Sequence, residues 1–338
     1  MILGIECTAH TFGVGIVNGG KILANVRDMY TTEKGGIVPI ESAKHHRNVS
    51  EKIYLEALDK AGIKESDIDA IALSNAPGLA PCLLAGLEFA KKKAELLGVP
   101  IVPVNHCIAH LEIGRSVGAK DPVLLYASGA NTQIIAYAAV KYRVFGETLD
   151  TGIGNFIDKF ARYVGLGFPG GPKIEQLAKN GKYIELPYSI KGMDVSFSGM
   201  QTKMQQLYDK SADKEKAKQD LSYSMQETAF AMLVESAERA MAHTGKKELV
   251  MGGGVGCNAR FQEMCRIMCE ERRAKFFCPE KSLLTDNASM IAYTGEIMFN
   301  STTFKKGSRS PNEIVFEDPD KVDIKPRERT DDIEVTWR

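Results

Sequence analysis

Two different structural units recur in the same order in each half of the chain, and this predicts an α/β protein of two similar lobes facing each other across a cleft. The first unit is a β-meander whose opening turn is rich in small and hydroxyl residues, Glu6–Thr11 in one half and Ser128–Thr132 in the other. The second is a strand, a tight loop, a helix and a returning extended run, residues 68–104 and again 248–278. A third observation is an apolar helix, Asp286–Asn300, which follows the second half and is placed to cross back to the first.

The elements read as follows. Residues 2–5 are a short apolar strand, Gly13–Val17 a second and Ile22–Val26 a third, with the turn Asn18-Gly19-Gly20 between the last two. Lys34–Pro39 is a loop, and a helix from about Glu41 to Gly62 carries His45 and His46. Ile68–Ser74 is a buried-type strand, Asn75–Pro81 a tight loop, and Cys82–Leu97 a helix that stops at Gly98. The Pro-containing run Val99–Val104 then delivers the chain to Asn105-His106-Cys107-Ile108-Ala109-His110. If that stretch is helical, His106 and His110 stand one turn apart on one face.

In the second half Pro122–Ala127 is a strand, Gln133–Val140 its return, Glu248–Met251 a strand, Gly252–Asn258 a glycine loop, Ala259–Arg273 a helix and Lys275–Cys278 a short strand. Between the two units lies a long, mostly helical stretch, Asp150–Thr244, with a polar run at Asp209–Asp220. The expected organisation is a first lobe of residues 1–119 plus 286–305 and a second lobe of residues 120–285 with a helical insertion at about 150–245. An extended tail, 306–338, is charged and aperiodic except at Glu313–Phe316 and Ile333–Trp337, and reads as a candidate docking segment. This is the actin-like plan.

Composition bounds the function classes. The 338 residues suffice for two domains with separate cores, and 44% hydrophobic with 25% charged residues is ordinary for a globular protein. Lys+Arg and Asp+Glu number 43 each, so any nucleic-acid contact must come from local patches such as Lys91–Lys93 or Arg272–Lys275. Such runs are more often solvated helix faces. The seven cysteines form no CxxC pair, which disfavours a zinc ribbon or a disulfide scaffold and suits a reducing cytoplasm. The first residues meet Glu6 at once without a basic region, unlike a signal peptide, and no uncharged run approaches a membrane span.

The residues suggest a binding cleft. Opposed small-residue turns, Glu6–Thr11 and Ser128–Thr132, suit phosphate-like groups held by backbone N–H. The Gly252–Asn258 loop, with Gly253 and Gly254, lacks the Lys of a Walker loop; it either lets an adenine ring approach, with Asn258 on the base, or simply turns for packing. Glu175 follows a second glycine-rich stretch, Gly165–Gly171, and either caps its helix or binds a ribose; Asp158 alone reads as a surface charge. Two imidazoles need further ligands to hold a metal. Asp286, otherwise an N-cap, and Tyr126, otherwise core, would complete an O/N set suited to iron or zinc. The spacing is not HExxH, because Cys107 sits where a metallopeptidase base would be.

Five motifs in order, Ile5–Thr11, Asn105–His110, Ser128–Gln133, Gly170–Glu175 and Gly252–Asn258, resemble the universal tRNA threonylcarbamoyladenosine synthesis family over about residues 1–305. The ending Arg327–Arg338 is similar to its archaeal and eukaryotic branch, the catalytic subunit of the KEOPS complex. The resemblance implies an actin-like (ASKHA, ribonuclease-H-like) fold and an acyltransferase. That enzyme would move the threonylcarbamoyl group from threonylcarbamoyl-AMP to N6 of the adenosine next to the anticodon, position 37, in tRNAs reading codons that begin with A. It implies iron or zinc on His106, His110, Tyr126 and Asp286, and the adenylate on Tyr126, Ala127, Ser128, Gly129 and Ala130, together with Asp158, Gly171, Glu175 and Asn258. Asn131 belongs to the same turn. The implied partners are tRNA, a small atypical protein kinase and small non-catalytic subunits. Cys7 and Ala130 stand where the family usually has Gly, which bears on the phosphate turn. No general base stands out; His10, His45 and His46 are candidates. An actin-like ATPase or small-molecule kinase would use the same turns with ATP and Mg, and a metalloprotease would need a base that the sequence does not offer.

Overall fold

The computed structural model describes residues 1–32, 36–303 and 319–338. Lys34 and Gly35 of the expected loop, the end of the first-lobe boundary at 304–305 and Glu313–Phe316 of the tail lie outside them.

The first lobe opens with β1 (Ile2–Glu6), β2 (Thr11–Asn18) and β3 (Lys21–Met29), each longer than the apolar run that announces it. Helix α1 (Pro39–Ala61) begins with Pro, whose missing N–H costs nothing there, and ends on Gly62 at φ 65. Strand β4 (Ala70–Ala76), helix α2 (Ala80–Leu97), strand β5 (Ile101–Asn105) and helix α3 (His106–Glu112) follow. The five strands order as β3-β2-β1-β4-β5, with antiparallel pairs within the meander and parallel pairs beyond β1.

The second lobe repeats this with β6 (Val123–Ala127), β7 (Thr132–Ala138) and β8 (Lys141–Glu147). Sequence reasoning expected two strands of this meander and ended the second at Val140; the third, β8, starts after a tight turn in which Ala139 and Val140 both have positive φ. The insertion holds α4 (Ile153–Tyr163), α5 (Gly171–Ala178), the short pair β9 (Ile190–Lys191) and β10 (Asp194–Val195), α6 (Ser198–Lys210) and the long α7 (Lys214–Thr244). The polar run Asp209–Asp220 marks the break where Asp213 caps α7, its side chain accepting from Lys216 N at 2.9 Å. Strand β11 (Glu248–Gly252), helix α8 (Ala259–Glu271) and strand β12 (Lys275–Phe277) close the sheet in the order β12-β11-β6-β7-β8. That is the topology of the first lobe, strand for strand.

After the short α9 (Lys281–Leu284), helix α10 (Ala288–Thr303) crosses back and lies on β1, β2 and β4 of the first lobe, as its position in the chain suggested. It lies unusually close. A Cβ at Gly4 would stand 2.4 Å from Ala288 O and Ala292 N, so only glycine permits the contact. Each lobe has its own apolar core. A third cluster joins Val104 and Ile108 of the first lobe to Leu124 and Tyr126 of the second, with Met290 of α10 and Trp337 of the tail. The tail's described part, read from sequence as a docking segment, is packed against its own chain: Val322 in the first core, Val335 and Trp337 in the third cluster. No helix among the described residues is long and apolar enough to cross a membrane.

Candidate active site

Strand β5 runs directly into α3, and Asn105 caps the junction: its Oδ1 accepts from Cys107 N at 3.0 Å and Ile108 N at 3.3 Å. This fixes the first turn, so that His106 and His110 face the same way, ring centroids 4.8 Å apart. Tyr126, at the end of β6, reaches the pair from the second lobe, its hydroxyl 3.1 Å from His106 Nε2. Asp286 comes from the connection into α10, with Oδ1 3.4 Å from His106 Nε2 and 3.6 Å from His110 Nε2. Donors held about 2.1 Å from one ion in tetrahedral geometry stand about 3.4 Å apart, so these spacings suit a common metal. Among the described residues this is the one cluster of three His, Cys, Asp or Glu side chains with such geometry.

The donors' surroundings point the same way. His110 is fully buried, and neither ring nitrogen has a hydrogen-bond partner in the protein. A buried imidazole without partners is costly unless something else satisfies it, and a metal does. Burial also pushes its pKa down, keeping it neutral and able to ligate. Burial likewise disfavours the His106 imidazolium, but the Glu6 carboxylate, with Tyr126 and Asp286, outweighs it and holds the pKa well above the usual value. Burial opposes the charge of Asp286, yet the neighbouring His106 and His110 imidazoles hold its carboxyl well below the carboxylate range. Burial raises the Tyr126 phenol, so the ring keeps its proton until a cation displaces it. The cluster stores charge that a cation would replace. The two imidazoles, one carboxylate and one phenol fit iron or zinc.

Sequence reasoning gave Asp286 an ordinary role as an N-cap. Its neighbour Asn287 takes that role, accepting from Met290 N at 3.0 Å, which leaves Asp286 free to face the histidines. Two further supports were not among the expected site residues. Fully buried Glu6 has Oε2 2.9 Å from His106 Nδ1 and Oε1 2.8 Å from Thr8 N. A carboxylate only accepts, so Nδ1 carries the proton and Nε2 is the nitrogen turned to Tyr126 and Asp286. The signal was present: a charged residue at the end of a buried strand needs a partner. Arg27 of β3 crosses the lobes and donates to Ser282 O at 3.2 Å, Thr285 Oγ1 at 2.7 Å and Asp286 O at 2.9 Å, pinning the segment that carries Asp286.

Beside Tyr126 lies the turn of the second meander. Ser128 N and Oγ donate to Asn131 O at 2.9 and 3.0 Å, and the N-terminus of α4 backs the turn, Gly154 N donating to Ser128 O at 3.0 Å and Asn155 N to Gly129 O at 2.9 Å. Ala130 is not among the residues with positive φ, so its methyl group is tolerated where glycine was expected. Cys7 is accommodated too, because Gly86 faces its thiol: a Cβ there would stand 2.1 Å from Sγ. The loop after β11 closes over the turn. Gly253 has φ +89, and a Cβ on it would lie 2.3 Å from Ala127 O, so Gly253 sits against the end of β6, while a Cβ on Gly254 would meet only Thr285, at 3.8 Å.

Asn258 and Glu175 meet at the start of α8. Asn258 Oδ1 accepts from Arg260 N and Phe261 N, and its Nδ2 donates to Gln226 Oε1 at 2.6 Å. Glu175 accepts from Ala259 N at 2.8 Å, so it caps α8 of the same lobe and not its own helix. Asp158 is no free surface charge: it accepts from Gly170 N at 2.7 Å, and burial raises its pKa. Gly171 begins α5 with open space where a side chain would stand. The four other histidines do not join this cluster; His243 lies on α7 beside Phe145. His45 pairs with Asp28 at 3.1 Å, His46 is fully buried beside Phe12, and His10 is half-buried in the first turn. Cys107, where a metallopeptidase base would stand, is a buried thiol whose pKa burial raises.

The family model for tRNA N6-adenosine threonylcarbamoyltransferase matches residues 21–293. Proteins of that name from Thermococcus sibiricus and Danio rerio are 53% and 46% identical, over 99% and 100% of this chain and 99% of each relative. A probable bifunctional tRNA threonylcarbamoyladenosine biosynthesis protein from Methanosarcina mazei is 51% identical over 99% of this chain, which spans 59% of that longer protein. Among solved structures, full-length HypF superposes with a TM-score of 0.62 at 13% identity over 91% of this chain and 47% of its own. Component A of the Acidaminococcus fermentans (R)-2-hydroxyglutaryl-CoA dehydratase gives 0.53 at 13% identity, over 87% of this chain and 97% of its own. The distant likenesses confirm the actin-like fold alone. The close ones settle the family: this chain is an enzyme of the tRNA N6-adenosine threonylcarbamoyltransferase family.

Proposed function

We propose that the chain moves the threonylcarbamoyl group from threonylcarbamoyl-AMP to N6 of adenosine 37 in tRNAs reading codons that begin with A, releasing AMP. The observation that carries this reading is the convergence of His106, His110, Tyr126 and Asp286 beside the Ser128 turn and the Gly253 loop. An acyl adenylate needs both: a place for its phosphate and a cation at its carbonyl.

In this reading iron or zinc on those four side chains supplies a Lewis acid for the transferred carbonyl. The chain's own residues do the rest. The backbone of Ala127–Asn131 receives the phosphate, Gly253 and Gly254 let the adenine approach the loop, and Asp158, Gly171, Glu175 and Asn258 frame the nucleoside. Glu6 orients His106, and Arg27 holds the Asp286 segment. The N6–carbonyl bond forms as the carbonyl–phosphate oxygen bond breaks, and N6 loses a proton. His45 is engaged by Asp28 and His46 has no exposed surface, so His10 is the remaining histidine candidate for that proton. Adenine N6 is a weak nucleophile, and orientation between the lobes supplies much of the rate. The partners in this reading are tRNA, a small atypical kinase and small non-catalytic KEOPS subunits, acting in the cytoplasm.

An actin-like ATPase or kinase working on ATP with Mg would share the turns but would not need the histidine pair. The two readings separate by supplying synthetic threonylcarbamoyl-AMP and tRNA, and following the modified nucleoside by mass spectrometry. Threonylcarbamoyladenosine made without ATP supports the transferase. A product that appears only with ATP, as a transferred phosphate, overturns it.

A further inference from the structure

The end of the chain does more than cover a surface. Its described part begins against the first lobe, where Asn75 Nδ2 donates to Asp323 O at 3.0 Å, Lys325 N to Asn75 O at 2.9 Å and Gly78 N to Pro326 O at 3.2 Å. It then crosses to the second lobe, where Arg329 meets Glu147 of β8 at 3.1 Å. Thr330, 2% exposed, passes Cys107, the residue after His106. The chain finishes at the far end of the same helix. Trp337 packs 6.2 Å from the Tyr142 ring, and Arg338 closes on Glu112, the last residue of α3.

That last contact is a buried ion-pair network. Glu112 is fully buried and takes Arg338 Nη2 at 3.0 Å, Arg115 Nε at 2.7 Å and the Tyr142 hydroxyl. Arg338 also reaches Asp121 at 3.2 Å and lies over the Tyr137 ring at 4.8 Å. Removing one partner of a buried pair leaves the other charge uncompensated, so the network holds the helix end tightly. The helix itself has seven residues and carries both metal-ligating histidines. So short a helix has little stability of its own and takes its position from what packs around it.

We infer that the chain end, from Arg329 to Arg338, sets the position of α3, making Trp337 and Arg338 positioning residues for His106 and His110. The inference rests on the metal reading above only for its second consequence. The first is mechanical: without the chain end, α3 loosens. The second is that a loosened α3 presents its histidines less well, and a metal binds more weakly.

The test compares the full chain, a chain ending at Thr336, Arg338→Lys and His106→Ala. Amide hydrogen exchange is followed over residues 106–112, and zinc affinity is measured by competition with a chromophoric chelator. Ending at Thr336 is expected to speed exchange in α3 about tenfold or more, with β1–β3 unchanged, and to weaken zinc about tenfold. Arg338→Lys keeps the charge and is expected to fall between the two. Unchanged exchange in α3, or an increase spread evenly over the chain, overturns the inference. So does faster exchange in α3 with full zinc affinity, since the chain end would then not position the ligands. His106→Ala keeps the readings apart: if it binds zinc as the full chain does, the metal reading fails, while the exchange measurement still decides whether the chain end holds α3.

Discussion

Glu6→Gln exchanges one atom behind His106 and removes one charge, while the side chain keeps its shape. In the native structure one carboxylate oxygen faces His106 Nδ1 at 2.9 Å and the other faces Thr8 N at 2.8 Å and the Thr8 hydroxyl. Glutamine cannot serve both sides as an acceptor. If its oxygen stays on Thr8 N, its amide donates to Nδ1 and drives the imidazole proton onto Nε2, the nitrogen that must ligate. If it flips, its amide faces the Thr8 N–H, and two donors meet in a fully buried site at a cost of about 1–3 kcal/mol. Either way metal affinity falls, by about 10–100-fold on the scale found for outer partners of ligating histidines. The assay is zinc competition with a chromophoric chelator, with metal content measured on the protein as purified. An affinity within twofold of the native chain would refute the reasoning and reduce Glu6 to a packing residue.

Arg27→Met removes three hydrogen bonds to the segment carrying Asp286 but keeps the stem; it is expected to weaken zinc binding by about tenfold and lower stability by about 1–3 kcal/mol, read by chelator competition and urea denaturation. Gly4→Ala places a methyl group 2.4 Å from Ala288 O, so α10 must lift from the first sheet, at a cost of about 1–3 kcal/mol in the same denaturation measurement. His46 supplies a pH dependence. Burial first, and neighbouring His45 second, push its pKa down to about 4 from 6.5. The unfolded chain therefore takes up the proton before the folded one does. Its contribution is complete above pH 6.5 and is lost as pH falls towards 4, by at most about 3 kcal/mol. His46→Gln is expected to flatten denaturation midpoints across that window, and an unchanged slope would contradict the assignment.

The duplication was legible because it rests on order: two distinct units, each with its own period, repeated in sequence. What escaped was β8, hidden because the strand starts from a tight turn at Ala139 and Val140 that no glycine or asparagine announces. The cluster of His106, His110, Tyr126 and Asp286 was legible in part. His106 and His110 share a helix and betray themselves by spacing, whereas Tyr126 and Asp286 reach the cluster only because the lobes close and α10 crosses back. The targets of Glu6 and Arg27 were hidden for the same reason: each acts on a residue at least 100 positions away in the chain. For Asn258 and Glu175 the sequence left a structural and a binding role open. That both would meet at the start of α8 depends on the insertion, whose packing no local pattern encodes.

The most direct test is the reaction itself at a single time point. The purified chain, with the partner subunits proposed above, is given synthetic threonylcarbamoyl-AMP, metal and unmodified tRNA, and the nucleosides are resolved by mass spectrometry for the native chain and for His106→Ala. Threonylcarbamoyladenosine is expected from the native chain and none above background from the variant, which keeps its fold. Equal product from both, or none from the native chain under these conditions, would contradict it.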